Sequence, residues 1–207
     1  MGIGINDLSN IQLDVLREVG NIGAGNAATA LARLINKKVD MTVPKVRILE
    51  FKDVSETLGG AEIPFVGILF KVEGDLTGSI MFMLRYEAAV ALVGVLMGSA
   101  PAEGDKVFDE IELSALREIG NILAGSYLSA LAGLTNLKII PSVPHLAMDM
   151  AGAILSVPAI EFGKVGDTVL YIETEFLDVG DKVVGDFFLI PDVESFDILL
   201  RALGVIS

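Results

Sequence analysis

The chain has 207 residues, 52% of them apolar, enough for one compact domain or two small fused halves around a substantial core. It has no cysteine and a single histidine, His145, which excludes disulfides, thiolate nucleophiles, cysteine zinc sites and His-rich metal sites. With 15 Lys and Arg against 28 Asp and Glu, the formal charge is −13; such a surface repels phosphate backbones, which argues against nucleic acid and favours protein partners with a positive feature.

The opening MGIGINDLSN lacks a basic region followed by an apolar stretch, so it does not read as a secretory signal. Asn6 stands where a myristoylation signal carries Ser or Thr. The longest apolar run, Ala88–Ala100, falls short of the roughly 18 residues of a membrane span and reads as a buried helix. A soluble cytoplasmic protein without membrane insertion is expected.

Ser9 with Gln12 has the spacing of a capping box and opens a long helical pattern in which Ile11, Val15, Ile22 and Leu31 recur with Ala between them. A strand region around Val43-Pro44 follows, then FVGILFKV and SIMFML, which are β-branched and aromatic runs of strand length joined by the turn-like GDLTG. YEAAVALVGVLMG reads as a helix ended by Gly98. The segment SAPAEGDK, residues 99–106, reads as a linker. The same succession then repeats. Asp109 and Glu112 form a second capping box, Val143-Pro144 recurs, TVLYIETEFL and KVVGDFFLI read as strands, and VESFDILLRALG reads as a helix ended by Gly204. Glu173 and Glu175 fall on one side of a strand, most simply its solvated face.

Aligning Ser9–Asn36 with Asp109–Asn136 gives 15 identities in 28 positions, each 100 residues apart, so the chain is an internal duplication. Further on, GSIMFML resembles GDFFLIP and ALVGVLMG resembles ILLRALG. The expected fold is α+β: one domain over 1–207, made of two pseudo-symmetric repeats at about 9–98 and 109–204. They would share one core and a largely antiparallel sheet flanked by helices. An ancestral dimer interface would then be internal, which makes a monomer the expected state.

Asp14, Glu18, Asn21 and Gly25 are spaced by four, three and four residues and so form one stripe on a helix face; Ser114, Glu118, Asn121 and Gly125 repeat it. A structural reading is available: a duplicated helix duplicates its polar surface, and Gly20 and Gly25 could serve close packing. Against it, each interior glycine costs a helix about 0.8–1 kcal/mol relative to Ala, and both copies keep two of them while neighbours change, Gly23 to Leu123 and Ala27 to Tyr127. Glu and Asn do not make a nucleophile–base pair. A carboxamide can hold a water by one donor and one acceptor, as the Gln of GTPases does, and a carboxylate can pair with a partner's cation. The stripe therefore reads as half of an active site, completed by a docking partner. GNIGAG imitates a dinucleotide fingerprint but lies inside the helical pattern with no strand before it, so that match is discarded.

The two motifs, D-x-x-x-E-x-x-N-x-x-x-G at Asp14–Gly25 and S-x-x-x-E-x-x-N-x-x-x-G at Ser114–Gly125, resemble the signature of the CheC/CheX/FliY family of chemotaxis phosphatases. The duplicated layout extends the resemblance over essentially the whole chain. It implies hydrolysis of the aspartyl phosphate of the response regulator CheY. Glu18 and Glu118 would dock on the regulator's active-site lysine, Asn21 and Asn121 would position the attacking water, and Asp14, Gly25, Ser114 and Gly125 would support the motif. Mg²⁺ is expected in the regulator, with no cofactor bound by this chain. The resemblance also implies the receptor deamidase CheD as a partner. Asp149, in HLAMDMAGA, could present a carboxylate where a deamidase expects a glutamine; an ordinary polar loop or helix residue is the other reading. The alternative function is a non-enzymatic one, a flagellar-switch-like scaffold or a CheD-binding adaptor.

Overall fold

The computed structural model describes residues 10–98, 107–162, 168–176 and 183–204. Along the chain come helix α1 (Asn10–Ile35), strand β1 (Met41–Glu50), a 3-10 turn leading into α2 (Val54–Thr57), β2 (Pro64–Gly74), β3 (Gly78–Arg85) and α3 (Tyr86–Met97). The second half follows with α4 (Glu110–Thr135), β4 (Ile139–Pro141), β5 (His145–Met150), α5 (Ala151–Phe162), β6 (Thr168–Phe176), β7 (Val183–Pro191) and α6 (Val193–Ala202). The expected linker at 99–106 and the capping residue Ser9 lie outside the described residues. The second capping box is formed: the Glu112 N–H donates to the Asp109 carboxylate at 2.9 Å, and the Glu112 carboxylate accepts from the Asp109 N–H at 3.0 Å.

One seven-stranded antiparallel sheet runs in the order β1-β6-β7-β3-β2-β4, with β5 also paired to β2. The two halves exchange strands within it. β1 of the first half borders β6 of the second, β4 and β5 of the second border β2 of the first, and the equivalent strands β3 and β7 meet in the middle. Each hairpin is thus extended by a strand from the other half.

The centre of the sheet is buried on both faces, which is why β3 reads SIMFML without polar alternation. Ile80, Phe82 and Leu84 point to the core beneath α1 and α4, together with Ile68, Ile172 and Phe187. Met81 and Met83 point the opposite way, to a smaller core with Phe65, Phe188 and residues of α2 and α5. The long helices α1 and α4 pack side by side on the first face.

Candidate active site

Each stripe stands on the outer side of its helix. In α1, Leu16, Val19, Ala24, Ala27 and Leu31 are buried against the sheet and α4, whereas Asp14, Glu18, Asn21 and Gly25 are exposed. In α4, Leu116, Ile119, Leu123, Ala124 and Leu131 are buried, whereas Ser114, Glu118 and Asn121 are exposed and Gly125 is half-exposed. Asp14 is engaged: its carboxylate accepts from the Arg17 guanidinium at 2.6 Å. Arg17 therefore turns one turn back, away from Glu18. The second half has Ser114 at the place of Asp14, so Arg117 has no such carboxylate. Among the described residues, the side chains of Glu18, Asn21, Glu118 and Asn121 make no hydrogen bond or ion pair with the rest of the chain.

The glycines divide into two kinds. A Cβ on Gly20 would stand 3.0 Å from Cγ1 of Val43, and one on Gly120 would stand 2.8 Å from Ile68, so these two let the helices lie close on the sheet. A Cβ on Gly25 or Gly125 would meet nothing within 4 Å. Internal packing explains Gly20 and Gly120 and leaves Gly25 and Gly125 unexplained. Two bare stretches of helix, each one turn beyond an unpaired carboxamide, open to solvent.

Gly23 is a third kind. A Cβ there would stand 2.4 Å from the ring of Tyr127. Tyr127 passes across α1 at that point, its hydroxyl lies 2.6 Å from the Thr174 hydroxyl, and its ring stacks on Phe187 at 4.4 Å. Burial pushes the phenol pKa up to about 12, with the Thr174 hydrogen bond opposing. Tyr127 is therefore a neutral structural tie between α4, α1 and the sheet. Its link to Gly23 is invisible in sequence because it joins two positions that differ between the repeats.

Asp149 lies apart from both stripes. It is an exposed residue of β5, not a loop or helix residue, and it is register partner to Phe65, whose side chain belongs to the core on the far face. Its carboxylate accepts from the N–H of Met150 at 2.7 Å. His145, at the start of the same strand, is exposed.

A polar network on the far face was missed in the sequence. Glu173 is not simply solvated: it pairs with Lys45 at 2.9 Å and faces Asp186 in register. The Tyr171 hydroxyl sits between them, 2.8 Å from Asp186 and 3.1 Å from Glu173. A phenol has one hydrogen to donate, and the shorter contact directs it to Asp186. Burial raises the Asp186 pKa from 3.8 to about 6; Glu173 adds to the rise, while the Tyr171 hydrogen bond, Arg85 and Lys45 oppose it. Burial, and then Asp186, raise that of Tyr171.

The chain is 42% identical to the CheY-P phosphatase CheC of Bacillus subtilis over 96% of its own length and 97% of the relative's. It belongs to the CheC-like family. The family model matches residues 11–48 and 111–147, the two long helices with the strands that follow them. The flagellar motor switch phosphatase FliY of B. subtilis is 30% identical over 70% of this chain, which spans 37% of that larger protein. The CheC-like fold is shared with the crystal structure of Thermotoga maritima FliY, with a TM-score of 0.75 at 23% identity, covering 96% of this chain and 98% of that one. No helix among the described residues is long and apolar enough to cross a membrane.

Proposed function

We propose that this chain is a phosphatase for the aspartyl phosphate of a CheY-type response regulator, with two sites on one monomer. The observation that carries the reading is the pair of outward stripes: Glu18 and Asn21, and Glu118 and Asn121, have no partner among the described residues, and each pair adjoins a glycine with open space above it. The activity named for the 42% identical B. subtilis relative supports the substrate.

In this reading Glu18 or Glu118 accepts a hydrogen bond from the regulator's lysine ammonium, which fixes the docked geometry. The Asn21 or Asn121 carboxamide then enters the regulator's site. Its oxygen accepts from a water while its N–H₂ donates to the same or a neighbouring oxygen, holding the water in line with the phosphorus. The water's P–O bond forms as the acyl P–O bond breaks. The water's proton passes to phosphate oxygen or solvent, since an amide does not take it. Gly25 and Gly125 leave room for the regulator's backbone. Mg²⁺ would be held by the regulator, where it would neutralise phosphoryl charge. CheD would take the exposed Asp149, which shares the sheet face of its register partner Phe65, opposite to the face that carries α1 and α4.

The test is phosphate loss from phosphorylated CheY with Mg²⁺ present, comparing the wild-type chain with the Asn21→Ala/Asn121→Ala variant. The expected result is faster loss with wild type, reduced about 100-fold by the double substitution with binding of the regulator largely kept. Equal loss with and without wild type, also in the presence of CheD, would leave the stripes as docking surfaces of a scaffold. Loss of regulator binding in the variant would show that the carboxamides dock rather than orient water.

A further inference from the structure

Beyond Gly25, two further steps of four residues lead to Thr29 and Arg33, both exposed, a row that turns about 80° around α1 from Gly25 toward the side of the turn into β1. Beside this row, between the C-terminal half of α1 and the turn into β1, lies an open groove of about 640 Å³ whose wall includes Gly25, Thr29, Arg33, Asn36, Lys38 and Asp40. Most of its polar groups are occupied. The Thr29 hydroxyl donates to the Gly25 carbonyl at 2.9 Å, and Lys38 is paired with Asp40. The Arg33 guanidinium has no partner among the described residues.

The second half lacks this device. Gly133 stands where Arg33 does, and Ile140 where Asp40 does. The stripes are alike at Glu, Asn and Gly and differ one helical stretch further on, about 12 Å from Gly25 along the axis. On a chain of net charge −13, an unpaired guanidinium three turns or more beyond the Glu18–Asn21 pair is a group that can accept a negative side chain from a partner. Its planar fork matches a carboxylate.

We propose that Arg33 is a docking residue of the first stripe alone: its guanidinium receives a carboxylate of the regulator seated on Glu18 and Asn21, so that the two sites bind the same phosphorylated regulator with different affinity and different salt dependence. This rests on the phosphatase reading above. The competing role for Arg33 is local, since a cation in the last turn of a helix complements the helix dipole, and α4 has none there.

The experiment uses single-site proteins. In the Asn121→Ala chain, which keeps only the first site, Arg33→Ala should raise KM for phosphorylated CheY about fivefold at low salt, with kcat kept, and should flatten the rise of KM between roughly 50 and 300 mM salt. In the Asn21→Ala chain, which keeps only the second, Arg33→Ala should leave KM where it was. Gly133→Arg there should lower KM severalfold; a Cβ on Gly133 meets nothing within 4 Å, so the side chain has room. An unchanged KM in the first case, or an equal rise in both, would overturn the proposal in favour of the helix-dipole role. Dissociation constants for the phosphorylated regulator, measured alongside by fluorescence anisotropy, separate this from the underlying reading. If wild type itself releases no phosphate, the phosphatase reading falls, while an Arg33-dependent affinity still supports the docking residue and an Arg33-independent one removes it.

Discussion

Helices α1 and α4 descend from one sequence, and an outward and an inward set of positions can be compared between them. On the outward faces Glu, Asn and Gly are the same in both at 18/118, 21/121 and 25/125. On the inward faces, where the helices meet, Gly23 and Ala27 stand against Leu123 and Tyr127. Those inward differences form a single adjustment. A side chain at Gly23 would collide with Tyr127, so the small residue in one helix is the space for the large one in the other. Inside the protein a change in one copy can be matched by a change in the other. The Glu, Asn and Gly of the outward stripes touch no counterpart in the other helix that could match a change, so their sameness is not explained by packing between the two helices.

The sharpest way to break this comparison is to make the halves alike. Gly23→Leu places a branched side chain where a Cβ alone would stand 2.4 Å from the Tyr127 ring, and it should cost about 3 kcal/mol in a urea titration. Adding Tyr127→Ala gives both helices the same residues at these two positions. The pair should be less destabilised than the two single changes summed, by at least about 1 kcal/mol. Additive losses would mean that the two positions drifted independently. Phosphatase activity per folded molecule should be nearly unaffected, because the stripes face away.

A second contrast lies in the central strands. By the sequence alignment of GSIMFML with GDFFLIP, Ser79 and Asp186 occupy equivalent places, and both are buried. The serine is neutral. The aspartate's pKa is raised from 3.8 to about 6, chiefly by burial, so its protonated form is favoured in the folded state. The stability it contributes is therefore fully present below about pH 4 and is lost as pH rises through about 6. Asp186→Asn keeps an oxygen for the Tyr171 hydroxyl and removes the charge. It should stabilise the protein by about 2 kcal/mol at pH 8 and by almost nothing near pH 4. The difference between variant and wild-type unfolding free energies, followed from pH 8 down to pH 4, checks the sign. A difference that grew toward acid would contradict it.

How far these features could be read from sequence depends on how local their causes are. The strands were legible from their stretches at 65–70 and 80–84, which are buried on both faces and so carry no charged or polar side chain. The stripes were legible because helix spacing alone sets them. α5 was not, since AGAILSVPAIEF carries a proline within the helix and no clear apolar period. Nor was the exchange of strands between halves, because which strand borders which is decided by packing across the sheet. The Glu173–Tyr171–Asp186 network escaped for the same reason: Glu173 and Asp186 meet only through the register of β6 with β7.

A smaller effect tests the helix start that is shared by pattern. In α4 the Asp109 capping box is formed on both sides. Asp109→Ala removes the acceptor for the Glu112 N–H and should cost about 1 kcal/mol in thermal unfolding. Asp109→Ser should recover most of it. The phosphate-release rate of the second site should stay unchanged, because Glu118 and Asn121 lie more than two turns further along.

The least perturbing test returns to the glycines. Gly120→Ala forces a methyl against Ile68, at 2.8 Å, and should destabilise the protein by about 1 kcal/mol. Gly25→Ala and Gly125→Ala meet nothing within 4 Å, so helix propensity decides their sign, and each should stabilise by a little under 1 kcal/mol. If these glycines exist for the partner, the same two changes should weaken regulator docking while they strengthen the fold. Unfolding free energy and KM for phosphorylated CheY would then rise together, one with helix propensity and the other with lost contact. A glycine kept for packing cannot give that combination, because filling its space would weaken the fold first. A more stable variant with KM unchanged would leave Gly25 and Gly125 without a role in docking, and the likeness of the two stripes would reduce to their Glu and Asn.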